Sequence, residues 1–172
     1  MKRLFTSVFS LLLLIGIPAS LSAKGRTVRI IIRGTDLKTP IEITDPTVLA
    51  NFNVWTGPGT SSNESKGFIV DWSRGVIPAP PKGLRLYEVF FCADFGSHEE
   101  KPVYVVSYEF DPSTRRGYLY LPGKGDKWWQ LNVGTIFRSL EGNWFSAWSV
   151  WEDVARPLIA KGKERASTPP ST

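Results

Sequence analysis

The stretch Leu84 to Phe95, LRLYEVFFCADF, carries the strongest structural signal in the chain. Tyr87, Val89, Phe91, Ala93 and Phe95 form an apolar stripe at period two, the spacing at which side chains of a β-strand share one face. Val103 to Phe110 repeats the pattern with Tyr104, Val106, Tyr108 and Phe110. The loop Asp111 to Gly117 (DPSTRRG) is turn chemistry, and Tyr118-Leu119-Tyr120-Leu121 after it completes a hairpin. Pro122 to Asp126 (PGKGD) is a second turn. Trp128 to Val133 and Thr135 to Leu140 are predicted to continue the strands, and Glu141-Gly142-Asn143 turns into Trp144-Phe145-Ser146.

Upstream, Thr27 to Arg33 is a predicted strand with Val28, Ile30 and Ile32 on one face, and Ile41 to Thr44 is a shorter one. Asp45-Pro46 reads as an N-cap with proline at the first helical position, opening a short helix through Val48, Leu49 and Phe52. Gly57 to Gly67 is a surface loop that includes the formal sequon Asn63-Glu64-Ser65. Phe68 to Trp72 reads as a strand, and Pro78 to Pro81 as a stiff extended connector. Ser149-Val150-Trp151-Glu152 has capping-box spacing, so a second short helix burying Val150, Trp151, Val154 and Leu158 follows, kinked or ended at Pro157. From Lys161 onward nothing is left to bury, which predicts a disordered tail. The fold class is mainly β (α+β): a single antiparallel sheet, a sandwich or a partly closed barrel, with two short helices.

The N-terminus has the anatomy of a cleavable secretory signal peptide over residues 1–23. Lys2 and Arg3 precede an apolar run from Leu4 to Ile17, Pro18 breaks it, and Ala19-Ser20-Leu21-Ser22-Ala23 supplies the small residues of a cleavage site. The run falls short of the roughly 20 residues that span a bilayer, and no later segment reaches that length. The expected organisation is therefore signal peptide 1–23, one β-rich domain over 24–160 and a tail over 161–172, exported to the periplasm or the extracellular space. The chain carries 21 Lys and Arg against 16 Asp and Glu. Two of those bases lie in the signal peptide and others at Lys24, Arg26, Lys161, Lys163 and Arg165, so the folded body is near neutral. No basic stripe supports nucleic-acid binding.

The block Gly117 to Ile136, GYLYLPGKGDKWWQLNVGTI, together with PIEITDP (Pro40 to Pro46), resembles an uncharacterised family of exported bacterial proteins. The resemblance implies bacterial origin and brings no activity with it.

Catalytic chemistry finds few handles. The one cysteine, Cys92, lies within an apolar strand, where a thiol is a packing residue whose pKa is raised by its surroundings. The one histidine, His98, sits in a turn with Glu99 and Glu100, and neighbours on a turn diverge into water instead of converging on a metal. Gly123-Lys124-Gly125 lacks the helix that a phosphate loop requires. No cofactor motif is present. Glu88, Asp94 and Glu109 are strand-associated carboxylates that can pair for hydrolysis without metal or histidine.

The aromatics are the unusual feature. All seven tryptophans follow the signal peptide, five of them between positions 128 and 151. If Trp128 and Trp129 lie on a regular strand, they point to opposite faces, and one is left off the main core. The leading expectation is a non-catalytic exported domain that binds a glycan or an envelope protein through an aromatic surface at Trp128, Trp129 and Trp144. The alternative is a carboxylate-dependent hydrolase of the cell envelope.

Overall fold

The computed structural model describes residues 25–58, 68–96, 99–132 and 140–167. The expected signal peptide, the sequon and His98 lie outside these residues. Seven strands form one open antiparallel sheet: β1 (Arg26–Gly34), β2 (Ile41–Ile43), β3 (Val76–Ile77), β4 (Arg85–Asp94), β5 (Glu100–Asp111), β6 (Arg116–Leu121) and β7 (Asn143–Ser146). Their spatial order is β2-β1-β4-β5-β6-β7-β3, with the two longest strands, β4 and β5, near the centre. The sheet does not close, so the sandwich and barrel alternatives fall away. Among the described residues three helices accompany it: α1 (Pro46–Leu49), α2 (Trp129–Asn132) and the 19-residue α3 (Ser149–Ser167).

One face of the sheet is the core face. Register places Ile32 opposite Val89 and Val89 opposite Val106, with Tyr87, Tyr108 and Leu119 forming the adjoining row. Trp151, Ala155 and Ile159 of α3 cover this face together with Phe52 and Phe68. The Trp151 indole meets Phe52 edge-on at 5.4 Å and Tyr108 at 6.0 Å. At α1, the Asp45 carboxylate accepts the Thr47 amide at 2.8 Å, as the N-cap reading requires.

Two bulges sit beside Cys92. Val28 is the extra residue in β1, so it leaves the stripe of Ile30 and Ile32. In β5 the register slips between Tyr104 and Pro102, where proline has no amide to donate and a regular ladder cannot pass.

Four expectations are corrected. Phe68 to Trp72 is not a strand. It makes a single bridge, Val70 to Ala147, and then a 3₁₀ turn over Trp72–Arg74 capped by Asp71. Residues 129–132 form the helical turn α2 instead of a strand, so the opposite-face argument for Trp128 and Trp129 does not hold. Residues 133–139, which take in most of the other expected strand, lie outside the described residues.

The third correction concerns Pro157, where α3 does not end. A proline inside a helix costs roughly 3 kcal/mol, and buried side chains on both sides, Trp151 and Ala155 before it and Ile159 after, offset that cost. The fourth is that α3 runs past Lys161 to Ser167. A Cβ on Gly162 would meet Leu37 at 3.0 Å and Ile41 at 3.3 Å, so glycine lets the helix approach β2 closely. Lys163 pairs with Asp36 at 2.9 Å. The tail was expected to have nothing to bury, yet its first residues are fixed by these contacts.

Glu152 also departs from its sequence reading. It is buried, and its Oε1 accepts the Tyr108 hydroxyl at 2.7 Å. A Cβ at position 117 would collide with that carboxylate, which accounts for glycine there. Burial pushes the Glu152 carboxyl above the usual range, with the Tyr108 bond opposing.

Candidate functional site

The face opposite the core is crossed by a continuous rung of directly paired residues. Arg33 of β1 pairs with Glu88 of β4, Glu88 with Ser107 of β5, and Ser107 with Tyr120 of β6. Tyr120 then pairs with Trp144 of β7, and Trp144 with Ile77 of β3. The neighbouring rung is Leu86, Glu109, Tyr118 and Ser146. Because side chains two apart on a strand share a face, these residues form one surface of aromatic rings, carboxylates and hydroxyls.

The surface has fixed geometry. Tyr120 and Trp144 lie ring against ring, with centroids 5.1 Å apart and planes tilted by 39°. The Tyr120 hydroxyl donates to Asp126 at 2.7 Å, and the same carboxylate oxygen accepts the Gly123 amide at 2.7 Å. The PGKGD turn thus holds the tyrosine from its outer end. Partial burial, and then the Asp126 carboxylate, raise the Tyr120 phenol above its ordinary pKa. Tyr118, Tyr120 and Trp144 are half-buried.

Trp128 lies on this same face. Its ring meets Phe90 edge-on at 5.1 Å, and its indole N–H donates to Glu88 at 2.8 Å. Lys127 reaches the same Glu88 oxygen at 3.1 Å and stands 4.4 Å above the Trp128 ring. Trp129 opens α2 and is half-buried. What fixes this segment is Asn132, whose carboxamide pairs with the Val105 backbone in both directions: Val105 N–H to Oδ1 at 2.8 Å and Nδ2 to the Val105 carbonyl at 2.7 Å. An asparagine side chain here does the work of one more residue of strand β6.

Two of the expected binding residues, Trp128 and Trp144, therefore share the face, and Trp129 stands beside Trp128 on the covering segment. Tyr118 and Tyr120 were missed, although their period-two spacing in YLYL opposite buried Leu119 and Leu121 was a readable signal. Of the three strand carboxylates, Glu88 and Glu109 occupy neighbouring rungs of this face. Asp94 ends β4 and accepts the Gly96 amide at 2.7 Å, away from the pair. Burial raises the Glu109 carboxyl above the usual range.

Cys92 is buried on the same face of β4, beyond Phe90. Burial, reinforced by the adjacent Glu100 carboxylate, pushes its thiol up to about 11. Glu100 is itself clamped by Arg29, with Nε at 2.5 Å and NH2 at 2.7 Å. Native protein should therefore react with a thiol reagent at pH 8 far more slowly than urea-unfolded protein, and should run as a monomer on non-reducing gels. Equal labelling rates in the two states would show an accessible thiol.

The chain matches no family model, no curated protein and no solved structure.

Proposed function

We propose that this protein is an exported binding module that grips a glycan of the cell envelope or extracellular space through the Tyr118, Tyr120 and Trp144 face. The observation that carries the reading is the Tyr120–Trp144 pair, held half-buried on the sheet face opposite the one that α3 covers. A sugar ring presents apolar C–H faces and a rim of hydroxyls. Aromatic side chains match the faces, and Glu109, Asp126 and Ser107 nearby offer acceptors to the rim. The basic n-region and apolar run of residues 1–23 support export.

A second reading uses the same face. Diagonal neighbours on adjacent strands lie about 7–8 Å apart. Glycoside-hydrolysing carboxylates are separated by roughly 5–9.5 Å. Glu109, raised by burial, has the character of a general acid, and Glu88 is the diagonal neighbour that would act as its partner.

One experiment tests both. Retention of the wild-type protein on purified envelope glycans is compared with that of Trp144→Ala and Tyr120→Ala. Each variant should bind at least tenfold more weakly, a loss of about 1.4 kcal/mol, and still unfold cooperatively. Undiminished retention of both variants would remove the face from the function. Release of soluble sugar by wild type but not by Glu109→Gln, with retention intact, would favour the hydrolase over the binder.

A further inference from the structure

On the other side of the sheet, a cleft opens between α3 and the adjoining ends of β4 and β5. Its volume is about 480 Å³, within the range of roughly 300–1,000 Å³ that holds small ligands. The walls are apolar: Leu84, Tyr87, Tyr108, Phe110, Ile159 and Ala160. Among the described residues, the charged ones lining it are Arg85, Arg156 and Lys163, and no carboxylate lines it.

Two of these cations are held in place from behind by acids outside the cleft. Arg156 directs Nε to the Glu152 main-chain oxygen at 3.3 Å and lies 3.4 Å from its carboxylate. Its guanidinium stands 5.0 Å from the Phe110 ring centre, and among the described residues its two terminal nitrogens make no hydrogen bond to the protein. Lys163 is fixed by Asp36 and stands 5.5 Å from the Tyr87 ring centre. Arg85 is exposed and forms no ion pair among the described residues.

We propose that this cleft binds a single-chain amphiphile with one anionic head group, of the fatty-acid class. The chain would lie against Leu84, Phe110 and Ile159, and the head would meet the terminal nitrogens of Arg156 and Arg85. A neutral apolar ligand would leave the cationic rim unused. A polar anion without a chain would leave the walls exposed to water. Only a molecule with both parts satisfies the whole lining. The site lies across the sheet from the aromatic face, so the proposal stands or falls separately from the glycan reading.

The test is calorimetric titration with decanoate below its micelle concentration, with decanol and acetate as controls. Decanoate should bind at one site, at least tenfold more tightly than decanol, and acetate should not bind. Ala160→Phe, at an exposed helix position on the cleft wall, should abolish binding without lowering the melting temperature. Arg85→Gln should weaken decanoate and leave decanol unchanged, and it avoids disturbing the Arg156–Glu152 pair. Equal affinity for decanoate and decanol, binding that survives Ala160→Phe, or no binding up to the solubility limit would each overturn the proposal.

Discussion

Trp151→Ala should cost about 3–5 kcal/mol of stability, the largest loss expected from any single truncation in α3. The side chain is fully buried, and its ring joins Phe52, Tyr108 and the helix in one contact. Removing it would open a cavity where α3, the sheet and the segment after α1 meet, and none of these can collapse without moving the other two. Whole domains are stable by roughly 5–15 kcal/mol, so the variant should be only marginally folded. Its melting temperature should fall by on the order of 10 °C or more.

Trp151→Phe should be far milder. It keeps most of the ring contact and removes the indole N–H, which is buried with no hydrogen-bond partner among the described residues. Relief of that unsatisfied donor offsets part of the lost packing. Thermal denaturation of both variants checks the argument. Similar losses for alanine and phenylalanine would mean that indole-specific shape, rather than buried volume, holds the helix.

The strands were legible from their period-two stripes. In β4 the core-facing set Tyr87, Val89, Phe91 and Ala93 is apolar throughout, and in β6 buried Leu119 and Leu121 alternate with half-buried Tyr118 and Tyr120. The helix α1 was legible because its cap is local: Asp45 and Thr47 are two residues apart. What could not be read depends on contacts distant in sequence. The pair Trp128-Trp129 has strand-forming composition, and composition is a weak guide when tertiary contacts decide. Here the deciding contacts are Glu88 and Val105, 40 and 27 residues away. Pro157 and the polar residues after Ala160 read as a stop, because the partners that carry the helix onward, Asp36, Leu37 and Ile41, belong to the other end of the chain. The candidate face was half legible for the same reason. Tyrosines on alternate positions of one strand are visible in sequence, whereas the pairing that sets Tyr120 against Trp144 needs the sheet order.

Asn132 gives the second large effect, and it joins the fold to the proposed face. Its carboxamide is fully buried and answers both the amide and the carbonyl of Val105, itself fully buried in β5. In Asn132→Ala both backbone groups lose their partner in a place water does not reach. An unsatisfied buried group costs about 1–3 kcal/mol, so with two of them the variant should lose about 2–6 kcal/mol. Asn132→Asp discriminates between hydrogen bonding and packing. The carboxylate can still accept from the Val105 amide, but at neutral pH it sets a negative charge against the carbonyl. The protonated carboxyl can donate to that carbonyl, so the folded state holds the proton more tightly than the unfolded chain does. The sign follows: stability of Asn132→Asp should fall as pH rises through the window above the ordinary aspartate pKa. Urea denaturation at pH 4.5 and 8 should give midpoints that diverge for Asn132→Asp much more than for the wild type. A loss below about 1 kcal/mol in Asn132→Ala, or no added pH dependence in Asn132→Asp, would show that the segment is held by its tryptophans instead. Because the same segment carries Trp128 to its bond with Glu88, a folded Asn132 variant should also release that indole. Where Trp128 contributes to the proposed glycan-binding face, binding should weaken in Asn132→Ala even under conditions in which the sheet remains intact.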